Sequence, residues 1–108
     1  MCVTTFGVSI DWKNSNPTVS VRGELDFAAA PALEDALGRA IERGGGQIDL
    51  DFREVTFLDS EGLKVLLRTQ REAREHGGSV MVHGCSHFIA KTFEILGLDT
   101  QFGIGRDG

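Results

Sequence analysis

The stretch Val55-Thr56-Phe57-Leu58-Asp59-Ser60-Glu61-Gly62-Leu63-Lys64-Val65-Leu66-Leu67 decides how this chain is read. A loop passes into a helix within it, and a small hydroxyl stands at the junction. Leu63, Leu66 and Leu67 recur at helical spacing, while Thr69, Gln70, Arg71, Glu72, Arg74 and Glu75 fill much of the remainder. Asp59 and Ser60 are residue types that accept hydrogen bonds from the unpaired N–H groups of a first helical turn. The helix is therefore expected to begin at Ser60 or within one residue of it. An apolar tripeptide ending at Leu58 anchors the loop before it.

Two readings of Ser60 follow. In the plainer one the hydroxyl is a helix cap. In the other it is a modification site, because the dipole and free N–H groups of a helix N-terminus favour an anion. A phosphate there adds about −1.5 to −2 charges beside Asp59 and Glu61 while leaving the fold intact. That is an electrostatic switch a partner can read.

Working outward, Val8, Ile10 and Trp12 alternate with Ser9 and Asp11, the period of a half-buried strand. Asn14-Ser15-Asn16-Pro17 is turn chemistry, and Val19, Val21 and Leu25 resume the alternation, so residues ~6–24 form a hairpin. Ala28 to Arg43 reads as a helix with Ala29, Leu33, Ala36, Leu37, Ala40 and Ile41 on one face. Pro31 belongs in its first turn, and Gly44-Gly45-Gly46 ends it. Ile48, Leu50 and Phe52 mark a third strand. The Asp59 helix stops at Gly77-Gly78, and Val80 to His83 is a short apolar strand. A last helix places Ile89, Phe93 and Leu96 on one face and stops at Gly97-Leu98. Thr100 to Phe102 adds a final strand or packs as a tail, with Gly103 to Gly108 loose.

The order is ββαβαβα with an optional last β: an α/β chain whose strands after residue 18 run parallel. Each alternating strand has one polar face, which stacks the helices mainly on one side of the sheet. At 108 residues, with 41% hydrophobic residues, the chain is one compact domain. A net charge of −5 argues against nucleic acid or an anionic membrane as partner. No run approaches the ~20 apolar residues of a membrane span, and Met1 to Thr5 does not read as a secretory signal. Cys2 and Cys85 fit no disulfide framework, which points to a reducing, cytoplasmic setting and leaves a single bridge between them open.

Catalytic readings fall away. Asp49-Leu50-Asp51 resembles the paired aspartates of haloacid-dehalogenase-type phosphatases, but alternate strand residues share a solvent face and the chain is too short for that fold. Asp59-Ser60-Glu61-Gly62 lacks the first glycine of a nucleophile elbow. His83, Cys85 and His87 form no arginine-loop phosphatase site, and His76, His83 and His87 lack zinc-site spacing. Neither metal nor cofactor is expected.

Five motifs in order carry a resemblance. Gly23-Glu24-Leu25-Asp26, Leu50-Asp51-Phe52, Phe57-Leu58-Asp59-Ser60 with Gly62-Leu63, Gly77-Gly78 before an apolar strand, and Phe93 to Leu98 look like the STAS domain of bacterial anti-sigma factor antagonists. The likeness spans roughly residues 5–102. It implies a mixed sheet with helices on one side and phosphorylation of Ser60 by an anti-sigma factor that is itself a GHKL-type serine kinase. The unphosphorylated protein then docks on that kinase and releases the sigma factor, and a phosphatase resets it. Asp26 matches the family's interface aspartate. The partner face so implied comprises Asp26, Asp59, Ser60, Glu61, Gly62 and Lys64. The family usually has Ser, Thr or Ala where this chain has Glu61, a permanent carboxylate beside the switch. The alternative is a non-switching STAS subunit of a lipid-transport ABC complex or a stressosome-like assembly.

Overall fold

The computed structural model describes residues 6–13 and 15–104. Its elements are β1 (Gly7–Asp11), β2 (Thr18–Leu25), α1 (Ala30–Gly44), β3 (Ile48–Leu58), α2 (Ser60–Glu75), β4 (Val80–His83) and α3 (His87–Ile95). The sheet order is β1-β2-β3-β4, with β1 antiparallel to β2 and the other two pairings parallel. The hairpin register sets Val8 against Val21 and Ile10 against Val19.

Period-two alternation puts Val19, Val21, Leu25, Ile48, Leu50, Phe52, Val80 and Val82 on one face, all buried. Leu33, Leu37, Ala40 and Ile41 of α1, Val65, Leu66 and Ala73 of α2, and Ile89 and Phe93 of α3 join them in one core. On the other face Thr18, Ser20, Asp49 and Asp51 are half-exposed. Pro31 stands in the first turn of α1, as the sequence requires, and Gly45 ends that helix with a φ of 70°.

Four expectations need correction. Residues 55–58 are strand, not loop: β3 runs on for 11 residues. The ladder with β2 shifts register between Ser20 and Arg22 and again between Gly23 and Glu24, each time absorbing an extra residue of β3. Arg53-Glu54 and Thr56-Phe57 are consequently exposed in adjacent pairs, which hides the strand period. Second, Thr69 and Gln70 are buried rather than part of a polar face. The Gln70 amide donates to the carbonyls of Val80 and Gln101 at 2.9 Å each, and its oxygen accepts from the Val80 N–H at 2.7 Å. A fully bonded amide of this kind costs little to bury.

Third, Leu96 is 51% exposed and caps α3 rather than lying on its buried face. Fourth, of the two endings open to Thr100 to Phe102 the packed tail holds, in turns rather than a strand, with the Val82 N–H donating to the Phe102 carbonyl at 2.8 Å. The looseness expected from Gly103 onward does not begin there. Phe102 is buried edge-on against Phe93, and Ile104 is buried too, so the packed chain reaches further than the expected loose tail. Cys2 and residues 105–108 lie outside the described residues.

Candidate functional site

The C-terminal ends of β2 and β3 lie side by side, with Leu25 paired to Leu58, and the two following turns are stitched together there. The Asp59 N–H donates to the Leu25 carbonyl at 3.1 Å. Oδ1 of Asp59 accepts from the N–H groups of Glu61 and Gly62 at 2.9 and 3.0 Å, the N-cap of α2. Its Oδ2 accepts from the N–H of Phe27, across 32 residues of sequence, at 3.2 Å. One carboxylate thus fixes the helix start and holds the β2–α1 turn beside it.

Asp26 plays a matching part in its own turn. Its Oδ1 accepts from the N–H groups of Ala28 and Ala29 at 3.1 Å each, ahead of a helix whose N-cap, Ala29, has no side chain for the task. Gly62 is buried where α2 meets β2: a Cβ there would stand 2.6 Å from the Leu25 carbonyl oxygen. Only glycine permits that approach.

Ser60 is the first residue of α2 and is exposed. With Asp59 doing the capping, its hydroxyl makes no hydrogen bond among the described residues. Glu61 pairs with Lys64 at 3.2 Å on the exposed side of the first turn, a pair of small energetic weight. The fold therefore brings Asp26, Asp59, Ser60, Glu61, Gly62 and Lys64 to one end of the sheet.

Two residues that the sequence reading left out belong to the same place. Phe27 is 72% and Phe57 is 44% exposed. The available signal was their position: each lies within two residues of an aspartate at a strand end.

The half-exposed sheet face carries separate chemistry. Arg53 donates to Asp51 in a bidentate pair, 2.7 Å at its shortest. The side-chain hydrogen bond from Arg53 holds the Asp51 carboxyl below the usual carboxylate range, and the same bond raises the guanidinium. Asp49 meets His83 at 3.2 Å. Among the described residues no cluster of three or more His, Cys, Asp or Glu is arranged to hold a metal, and no helix is long and apolar enough to cross a membrane.

The family model described as Mlab, STAS domain matches residues 8–105. This chain belongs to the STAS domain family. Among its relatives, the anti-sigma-B factor antagonist of Bacillus subtilis is 29% identical over 93 residues, covering 86% of this chain and 84% of its own length. A solved anti-sigma factor antagonist from Mycobacterium paratuberculosis superposes with a TM-score of 0.75 at 31% identity, over 93% of this chain and 85% of that one. The Bacillus cell fate determinant SpoIIAA, in its phosphorylated form, superposes with a TM-score of 0.67 at 26% identity, over 88% and 87% of the two chains. The STAS architecture of four mixed strands and three helices is the one seen here.

Proposed function

We propose that this STAS domain is an anti-sigma factor antagonist: a binding module, not an enzyme, that engages an anti-sigma factor serine kinase in the cytoplasm and frees the sigma factor. Phosphorylation of Ser60 ends the engagement. The observation that carries the reading is the exposed Ser60 hydroxyl, released from capping by Asp59 at the mouth of α2. In the transfer, Ser60 Oγ forms a bond to the γ-phosphorus of ATP. The bond to the β–γ bridging oxygen breaks, ADP leaves, and the hydroxyl proton passes to a base on the kinase. That SpoIIAA, a similar protein, exists in a phosphorylated form supports the assignment.

The phosphate adds about two negative charges where Asp26, Asp59 and Glu61 already lie. A kinase surface shaped for the neutral hydroxyl loses complementarity, and juxtaposed like charges cost several kcal/mol. A GHKL-type kinase writes the mark and a phosphatase removes it. The partner face is Asp26, Asp59, Ser60, Glu61, Gly62 and Lys64. The test incubates the chain with the anti-sigma kinase of its own genome and ATP, followed by peptide mass spectrometry. Phosphate at Ser60 is expected; phosphate at the exposed Thr56, or none, overturns the reading.

A second reading is favoured by Glu61, whose permanent carboxylate already occupies the first turn of α2. In it the domain is a non-switching subunit of a larger assembly. Pull-down separates the two: a GHKL-type kinase supports the antagonist, a transporter ATPase the subunit. Ser60→Asp abolishes binding in the first case and changes little in the second.

A further inference from the structure

Among the described residues six large apolar side chains are exposed: Trp12, Phe27, Phe57, Phe88, Ile95 and Leu96. Trp12 is partly covered by the Arg43 guanidinium, 4.2 Å from its ring centroid. Phe88, Ile95 and Leu96 lie on α3, with nothing to show what covers them. Phe27 and Phe57 differ, because the backbone ties each to the end of the sheet where Ser60 stands. The Phe27 N–H is held by Asp59, the residue before Ser60, at 3.2 Å. Phe57 is held by the β2–β3 ladder, opposite Glu24 and two residues before Asp59.

We infer that Phe27 and Phe57 are the apolar anchors of the partner contact, and that the kinase offers them an apolar hollow bordered by Lys or Arg side chains. The inference rests on the antagonist reading above. Two exposed phenylalanines from segments 30 residues apart lie at the same end of the sheet as the Ser60 hydroxyl. Large aromatics at the centre of a patch, with polar groups around them, are the usual anatomy of an affinity-determining contact. The border here is acidic: Glu24 and Glu61 are exposed, and Asp26 and Asp59 half-exposed. Lys64, the nearest cation to Ser60 in sequence, is already paired to Glu61. Charge complementarity therefore calls for a cationic rim on the partner.

This arrangement gives phosphorylation a second lever. A phosphate on Ser60 keeps its own hydration, and that water enters a contact whose strength depends on being dry. Repulsion at the rim and wetting at the centre then act together.

The experiment uses the full chain and the anti-sigma kinase of its own genome, with affinity and rates read by biolayer interferometry. Phe27→Ala and Phe57→Ala are each expected to raise Kd about tenfold or more, mainly through faster dissociation. Phe27→Leu should retain most of the affinity, and Phe57→Thr, which keeps a strand-forming side chain, should lose as much as the alanine variant. Unchanged melting curves show that the fold is intact. Glu24→Gln is expected to slow association and reduce its salt dependence. Should the phenylalanine variants bind within about twofold of the unsubstituted chain while Ser60→Asp abolishes binding, the anchor inference falls and the antagonist reading stands. Absence of both binding and phosphate transfer with the unsubstituted chain defeats both. If the substitutions instead abolish self-association and leave kinase binding unchanged, the surface belongs to a second copy of the chain and the inference is overturned.

Discussion

Ser60 and Ser86 both stand at the mouth of a helix, and they do different things. Ser86 is the N-cap of α3, its Oγ accepting from the Ile89 N–H at 3.2 Å. Ser60 sits one position inside α2, and its hydroxyl bonds to none of the described residues, because Asp59 has already taken the Glu61 and Gly62 N–H groups. What separates them is the preceding residue: an aspartate before Ser60, Cys85 before Ser86. At a helix mouth, a serine can be esterified without loss of the cap where its neighbour already does the capping.

This contrast can be broken from several sides. The largest effect is expected at Gly62. The Cβ of Gly62→Ala would press on the Leu25 carbonyl and prise α2 from β2, at a cost of about 3 kcal/mol in urea denaturation. Asp59→Ala removes the cap of α2 and the tie to Phe27, and should cost about 2 kcal/mol by the same measurement. Hydrogen exchange should then quicken at Phe27 as well as at Glu61. Ser86→Ala should lose about 1 kcal/mol, the ordinary worth of a cap. Ser60→Ala should change stability by no more than about 0.5 kcal/mol while abolishing phosphate transfer. A loss at Ser60 equal to that at Ser86 would erase the distinction.

Away from both mouths, Asp51 supplies a pH reference. Its carboxyl lies below the ordinary 3.8 in the folded protein, so its contribution to stability is complete above that value. The contribution is lost as pH falls through the lowered value. Asp51→Asn should therefore flatten the acid limb of a stability–pH curve slightly, the effect being small because the Arg53 guanidinium is exposed.

Much of this was legible in the chain. Alternation gave the hairpin and the buried face of the sheet, while Pro31 and the glycine runs placed the helix ends, because local sterics decide those features. The extension of β3 beyond Phe52 was not legible, since its two extra residues pair adjacent exposed positions and erase the period. Gln70 reads as surface until the backbone groups of Val80 and Gln101 are seen converging on it. At the site, Asp59 and Ser60 are both capping types by sequence. Which of them caps depends on a backbone turn, and the exposure of Phe27 and Phe57 on a tertiary approach that no local pattern encodes.

The Trp12–Arg43 stack has a practical corollary. The chain has one tryptophan and no tyrosine, so its near-ultraviolet emission comes almost wholly from that indole. Trp12 lies past the end of β1 where Asp11 pairs with Thr18, and Ser60 follows the opposite end of the β2–β3 ladder, about 23 Å along the strand. Intrinsic fluorescence will therefore follow the seating of the hairpin on α1 and stay dark to events at the hydroxyl. A titration of this surface needs a reporter of its own, and a flat emission trace is no sign that a partner failed to arrive.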